Sequence, residues 1–250
     1  MFEARSASVT YGALGALAGV DLRVDRGERI ALIGPSGAGK STLLSLLNAG
    51  RTPAGGEVQV LGRDLGRVSP RERREVQRRL GTVGQQFDLA GQLRVVHNVN
   101  AGHLGRWSLW RAVLSLLAPR QIEAAREALR QVGLADKLFE RTDSLSGGEQ
   151  QRVAIARVLV QDPWAILADE PIASLDPTRG AEIIDLLLSL GAELRTTLVV
   201  SLHDVDVALW RFERVVALRE GRVTYDGPPA ELSDAFIREL YSTERGGHTT

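Results

Sequence analysis

Residues Gly34-Pro35-Ser36-Gly37-Ala38-Gly39-Lys40-Ser41 constrain the chain more than any other stretch. They fit the pattern G-x-x-x-x-G-K-[ST]. The near-continuous apolar run Arg29-Ile30-Ala31-Leu32-Ile33 precedes them, as in a buried parallel strand. Leu43, Leu44, Leu46 and Leu47 follow at a spacing that suits a helix. The glycines let successive backbone N–H groups face one concave nest, which binds phosphate oxygens. The helix opening at Lys40 adds its N-terminal partial positive charge. Lys40 would reach the β- and γ-phosphates of a nucleotide, and the Ser41 hydroxyl would ligate Mg²⁺. A plain glycine-rich turn needs neither the lysine nor the strand and helix on either side. Lys40 and Lys137 are the only lysines among 31 basic residues. A position that keeps lysine in so arginine-rich a chain asks for a compact ammonium.

A second apolar run, Trp164-Ala165-Ile166-Leu167-Ala168, ends in Asp169-Glu170. A solvated strand end reads the same way. Beside a phosphate loop, however, an Asp at a neighbouring strand tip supports Mg²⁺, and Glu170 can polarise an attacking water. A third stretch, Leu145-Ser146-Gly147-Gly148-Glu149-Gln150-Gln151-Arg152, sets a hydroxyl and two flexible amides before a helix. Ser146 with Glu149 reads as a capping box, and the same end can bind an anion. Both readings can hold. A second anion site of this kind makes sense if it closes over a nucleotide held by another subunit.

Composition narrows the class. The 250 residues carry 31 Lys plus Arg against 31 Asp plus Glu, a balance that argues against a dedicated nucleic-acid binder. No cysteine is present, which removes disulfide frameworks, thiolate zinc sites and thiol catalysis. Met1 to Ser6 has no basic stretch leading into an apolar one, so no signal peptide is expected. The run Trp107 to Ala118 is interrupted by Arg111 and stopped by Pro119, too short to span a bilayer. A soluble chain is expected, linked to a membrane only through a partner. The tail Arg245 to Thr250 is expected to fray.

Element texture changes along the chain. Val20–Val24, Arg29–Ile33, Glu57–Leu61 and Leu80–Val83 read as strands, with a capped, highly charged helix opening at Ser69-Pro70. From about 88 to 160 the pattern is helical, clearest over Ile122–Val132 and Glu149–Val160. Strands then alternate with helices again: Ala165–Ala168, helix Arg179–Leu194, Thr197–Ser201, helix Val205–Arg211, and a closing pair Val215–Leu218 and Arg222–Tyr225. The reading is an α/β nucleotide-binding core formed by 1–87 and 161–250, with 88–160 inserted as a helical subdomain.

Taken together and in this order, the motifs resemble the ATPase subunit of ATP-binding cassette (ABC) transporters over essentially the whole chain. Gly34 to Ser41 matches the family's Walker A loop, Leu145 to Glu149 its signature, and Ile166 to Glu170 its Walker B strand. Ser174-Leu175-Asp176 matches the D-loop, and His203 the switch histidine. Tyr11 fits the aromatic that stacks on adenine. Gln85 fits the Q-loop glutamine that senses Mg²⁺ and the permease, although adjacent Gln86 leaves that choice open. Gly84 departs from the pattern, since the family usually has an apolar residue there. The resemblance implies a P-loop (RecA-like) ATPase core with N-terminal antiparallel strands. It also implies ATP and Mg²⁺ as ligands and a head-to-tail dimer of two copies. Each ATP would be held by Gly34 to Thr42 of one copy and capped by Ser146, Gly147, Gly148 and Glu149 of the other, with Asp176 at the joint. Ser41, Gln85 and Asp169 would serve the metal; Glu170, His203 and Gln85 would serve catalysis. Transmembrane permease subunits and a substrate-binding protein are the implied partners, at the cytoplasmic face of the membrane.

Taken singly, the weaker members have plainer readings. Tyr11 would be an edge aromatic, His203 a structural histidine, and Asp176 before Pro177 a helix cap. The segments Gln85 to Leu89, Asn98 to Leu104 with Trp107 and Trp110, Asp169 to Pro177, and Tyr225 to Pro229 resemble phosphonate importers. The same segments could simply pack the helical subdomain, with the two tryptophans anchoring a helix. Other cargoes, a soluble ABC ATPase of repair or translation, and a P-loop kinase or GTPase are the rival readings. The last would not need Leu145 to Glu149.

Overall fold

The computed structural model describes residues 1–12, 14–107, 110 and 121–242. Most of the apolar run after Trp107 and the tail from Arg245 therefore lie outside the described residues. Two sheets organise the chain. The first is antiparallel, in the order β2 (Leu14–Val24), β1 (Phe2–Tyr11), β4 (Gly55–Val60), β5 (Arg63–Asp64). The second runs β10 (Arg222–Gly227), β9 (Arg214–Arg219), β3 (Arg29–Ile33), β8 (Thr197–Ser201), β7 (Ala165–Asp169), β6 (Leu80–Val83). From β9 to β6 all pairings are parallel; only the β9–β10 hairpin is antiparallel.

The apolar runs of the parallel strands bury both faces. Along β3, Ile30 and Leu32 enter one core and Ala31 and Ile33 the other, because successive side chains point to opposite sides. The first core lies between the two sheets and contains Phe2, Val20, Val58 and the fully buried Leu43, Leu46 and Leu47 of α1 (Lys40–Leu47). Each such leucine contributes about 2 kcal/mol of burial, so α1 and the loop before it are firmly seated. The second core packs α3 (Val95–Asn100), α4 (Ile122–Gln131), α5 (Gly147–Leu159), α6 (Pro177–Glu193) and α7 (Val205–Arg211) against the opposite face.

Caps set several helix starts. Ser69 forms a capping box with Glu72 before α2 (Pro70–Gln77), Ser146 one with Glu149 before α5, and Asp176 accepts from the Arg179 N–H at the start of α6. A last helix, α8 (Asp234–Leu240), brings the Tyr241 hydroxyl to the Gly34 N–H at 3.0 Å. Among the described residues no helix is long and apolar enough to cross a membrane. Of the two tryptophans, Trp107 stacks on His103 with ring centroids 5.3 Å apart, and Trp110 is 77% exposed among the described residues.

Candidate functional site

Parallel α/β sheets present their sites beyond the carboxyl ends of the strands. Here three adjacent strands, β3, β8 and β7, end in Gly34, Ser201 and Asp169-Glu170 respectively. The loop after β3 turns at Gly34 with φ +145°; a Cβ there would lie 2.1 Å from the Leu218 carbonyl oxygen. Gly39, with φ +104°, opens α1, and a Cβ there would meet the Ala16 carbonyl oxygen at 2.8 Å. Only glycine fits either place. The Lys40 side chain is buried and folds back into the loop, donating to the Gly34 and Pro35 carbonyls at 2.6 and 3.2 Å. Ordered this way, the ammonium already sits at the mouth of the amide nest.

A cleft of about 490 Å³ lies over this loop. It is lined by Tyr11, Leu14 to Ala16, Ser36 to Thr42, Glu170 and His203. Ten of the residues named from the sequence thus share one cavity, and Gly34 and Pro35 support it through their carbonyls. Tyr11, 41% exposed, closes one end and brings its hydroxyl to within 3.5 Å of Thr42 Oγ1. At the other end His203 Nε2 lies 2.7 Å from Glu170 Oε1. Beneath them Ser41 Oγ donates to Asp169 Oδ1 at 3.0 Å. A hydroxyl and a carboxylate at that separation are the hard oxygen donors Mg²⁺ prefers, beside phosphates and water. Among the described residues no three His, Asp or Glu gather into a ready-made metal cage. The residues therefore fit an ion held largely by a bound triphosphate.

Three groups of named residues lie outside this cleft. Gln85 and Gln86 are both exposed on the loop that follows β6. Gly84, the position that departs from the family pattern, sits in a tight bend where a Cβ would be 3.3 Å from the Gln86 carbonyl oxygen. Ser146, Gly147, Gly148 and Glu149 form the start of α5, and Leu175 and Arg179 flank the two glycines. There Ser146 Oγ donates to Glu149 Oε2 at 2.7 Å, and the Ser146 N–H donates to the same oxygen at 2.8 Å. These bonds, the hydroxyl's first, hold the Glu149 carboxyl below the usual carboxylate range. Asp176 lines a separate, smaller pocket of about 160 Å³ with Leu175 and Asp204, which Glu170 and His203 also border.

Two residues that sequence reasoning did not single out are part of this arrangement. Ser201 is fully buried and sits between the phosphate-loop strand and the acidic strand, in register with Leu32 on one side and Asp169 on the other. Its hydroxyl donates to Asp169 Oδ1 at 2.7 Å and accepts from the Glu170 N–H at 2.9 Å. Glu170 itself has φ +49°, a conformation that costs a side-chain-bearing residue. The second is Arg157 of α5, whose guanidinium donates to the Asp88 and Phe87 carbonyls at 2.6 and 3.2 Å. Burial lowers its pKa from the ordinary arginine value. It ties the loop that begins at Gln85 to the helix that begins after Ser146.

Comparison with known proteins gives one family. The model described as "ABC transporter" matches residues 17–173. A "Phosphonates import ATP-binding protein PhnC" of Anaeromyxobacter dehalogenans is 50% identical over 97% of this chain, which spans about half (48%) of that longer relative. The protein of the same name from Pseudomonas fluorescens is 46% identical over 92% of this chain and 87% of its own length. Among solved structures, a dimeric bacterial ABC transporter cassette superposes with a TM-score of 0.78 at 32% identity, covering 92% of this chain and 99% of that one. CbiO1 of Clostridium perfringens, part of the cbiONQ complex, gives 0.81 at 27% identity, covering 98% and 96%.

Proposed function

The chain belongs to the ABC transporter family, and from that premise we propose that it is the ATP-binding and ATP-hydrolysing subunit of an importer of phosphonate or a related phosphorus oxyanion. The observation that carries the ATPase part is the single cleft that holds Tyr11, the Gly34–Thr42 loop, Glu170 and His203. The cargo rests on the names of the relatives.

Each residue then has a task. Tyr11 offers a ring face to adenine. The loop amides and Lys40 take the phosphate oxygens, Lys40 exchanging the Gly34 and Pro35 carbonyls for them. Ser41 and Asp169, with Gln85 from its loop, would hold Mg²⁺, which neutralises charge on the phosphates when bound. Glu170 accepts the proton of the attacking water, and His203 turns from Glu170 to the γ-phosphate. Ser146, Gly147, Gly148 and Glu149 lie outside their own chain's cleft, so they serve the cleft of a second copy packed head to tail, with Asp176 near the joint. The dimeric cassette among the structural neighbours supports that arrangement. Segment 88–160 is the arm that carries Ser146 toward the partner. It would also meet the permease at the cytoplasmic face of the membrane, with a substrate-binding protein delivering cargo outside.

The test is genetic and biochemical together. Cells lacking this chain should fail to grow on a phosphonate as sole phosphorus source. The native chain should restore growth and Lys40→Ala should not. Purified Lys40→Ala protein should lose ATP hydrolysis. Restored growth with Lys40→Ala would overturn the transport reading. Unchanged hydrolysis by that variant would overturn the site.

A further inference from the structure

Tyr11 carries a second contact, on its other side. The Arg51 guanidinium carbon stands 4.1 Å from the centroid of the Tyr11 ring. This is close cation–π geometry. Tyr11 lines the cleft and Arg51 does not. The cation therefore covers the face turned away from the cleft and leaves the other face open.

Arg51 is held there by its backbone. After α1 the chain reverses through Ala49, whose φ is +55°, and the Asn48 side chain accepts from the Gly50 N–H at 2.7 Å. Arg73 of α2 clamps the bend, donating to the Ala49 and Arg51 carbonyls at 3.0 and 3.1 Å. Gln77 adds a further bond to Ala49. The Arg51 Nε is buried and has no hydrogen-bond partner. No polar group steers that end of the guanidinium, which leaves the aromatic face as the contact that orients it. With Thr42 at the phenol oxygen and Arg51 on the ring's back, Tyr11 is fixed from two sides by the segment that also carries the phosphate loop.

We propose that Arg51 is a positioning residue for the nucleotide base: it holds the Tyr11 ring from behind so that its free face is preset for a purine stacked in the cleft. The inference rests on the proposed role of Tyr11 as the base platform. A ring at an exposed strand end would otherwise lose rotamer freedom on binding; one already pinned binds with less ordering cost. An exposed cation–π contact is worth about two- to fivefold in affinity, expressed as an equilibrium constant.

The experiment measures ATP and inorganic tripolyphosphate affinity for the full chain and for Arg51→Ala, Arg51→Lys, Tyr11→Ala and the Tyr11→Ala/Arg51→Ala pair, with melting curves alongside. Arg51→Ala should weaken ATP about two- to fivefold and leave tripolyphosphate unchanged. Arg51→Lys should recover part of the loss, and Arg51→Ala should add nothing once Tyr11 is removed. Unchanged or tighter ATP binding in Arg51→Ala, an equal loss for tripolyphosphate, or full additivity in the pair would overturn the proposal. If Tyr11→Ala binds ATP as tightly as the native chain, the base-platform reading falls and this inference falls with it. If Tyr11→Ala weakens ATP and Arg51→Ala does not, only the inference falls.

Discussion

His203 Nε2 and Glu170 Oε1 are 2.7 Å apart, so two groups assigned to opposite sides of the reaction are hydrogen-bonded to each other. The pair spans adjacent strand ends: Glu170 follows β7 and His203 lies two residues beyond β8. In the proposed mechanism Glu170 can take the water's proton on Oε2 while Oε1 is bonded to His203, and His203 exchanges that bond for a γ-phosphate oxygen.

Glu170→Gln keeps the shape and the capacity to bond His203 but removes the base. Turnover is expected to fall by about 10²- to 10⁴-fold while ATP affinity stays near native. Single-turnover hydrolysis beside equilibrium binding checks this. Hydrolysis at the native rate would show that Glu170 is not the base.

Ser201→Ala tests the support beneath that pair. The variant leaves the Glu170 N–H buried without its acceptor and takes one donor from Asp169. The stability loss should be about 1–3 kcal/mol. Because Glu170 keeps its φ of +49° partly through this bond, kcat should fall roughly tenfold. KM for ATP should move little, since the loop amides and Lys40 are untouched. Denaturant melts and steady-state kinetics give both numbers; a variant equal to native in both would remove Ser201 from the account.

Several of these parts were legible before any coordinates. Leu80–Val83, Thr197–Ser201 and Val205–Arg211 occur with the expected bounds: the fully buried Thr197–Ser201 centres on the apolar run Leu198-Val199-Val200, and Asp204 caps its helix openly. The strand expected from Val20 starts instead at Leu14, and β1 fills Phe2–Tyr11. Register shifts between Ala4 and Thr10 break the two-residue period there, and Ser6 adopts φ +47°. Helix α3 falls inside the stretch expected to be helical but has no bounds of its own in the sequence, because it is six residues long and buries Asn98 and Asn100 along with its valines, which blurs the apolar period. Ser201 escaped notice for a similar reason: a serine closing an apolar strand gains meaning only when register sets it beside Asp169. Arg157 reaches its carbonyl partners some 70 residues away, a pairing no local pattern encodes.

Ser146 and Glu149 yield a prediction with a pH sign. The Glu149 carboxyl is held below its ordinary range by the Ser146 hydroxyl and N–H. A folded-state pKa lower than the unfolded one gives stability that is present above the unfolded value and lost as pH falls through the folded one. Acidification below the ordinary glutamate range should therefore fray the start of α5, and Ser146→Ala should blunt that acid sensitivity. The same variant should lose about 1 kcal/mol of cap stability. It should also lose turnover while still binding ATP at Lys40. Native turnover in Ser146→Ala would argue against a partner's cap over the triphosphate.

Arg214, the first residue of β9, gives the last test. Its guanidinium grips Asp226 of β10 with two bonds of 2.7 and 2.8 Å and reaches both Glu28 oxygens at 3.1 and 3.0 Å. It also donates to the Arg23 carbonyl at 2.9 Å. One planar fork thus ties the β9–β10 hairpin to the turn between β2 and β3, and the Asp226 contact first of all raises its pKa. That hairpin presents Gly221, whose N–H and carbonyl bond Ala38 and Ala18 and so brace the phosphate loop from above. Arg214→Ala would leave Asp226 and Glu28 facing each other without their shared cation. A loss of about 2 kcal/mol is expected, the group being partly rather than fully buried. Lysine, a point charge without the fork, should recover less than half. Chemical denaturation checks the stability, and ATP affinity should weaken alongside it because the loop loses its brace. A full loss of stability with unchanged ATP affinity would separate the hairpin from the site and show that Ala38 needs no support from Gly221.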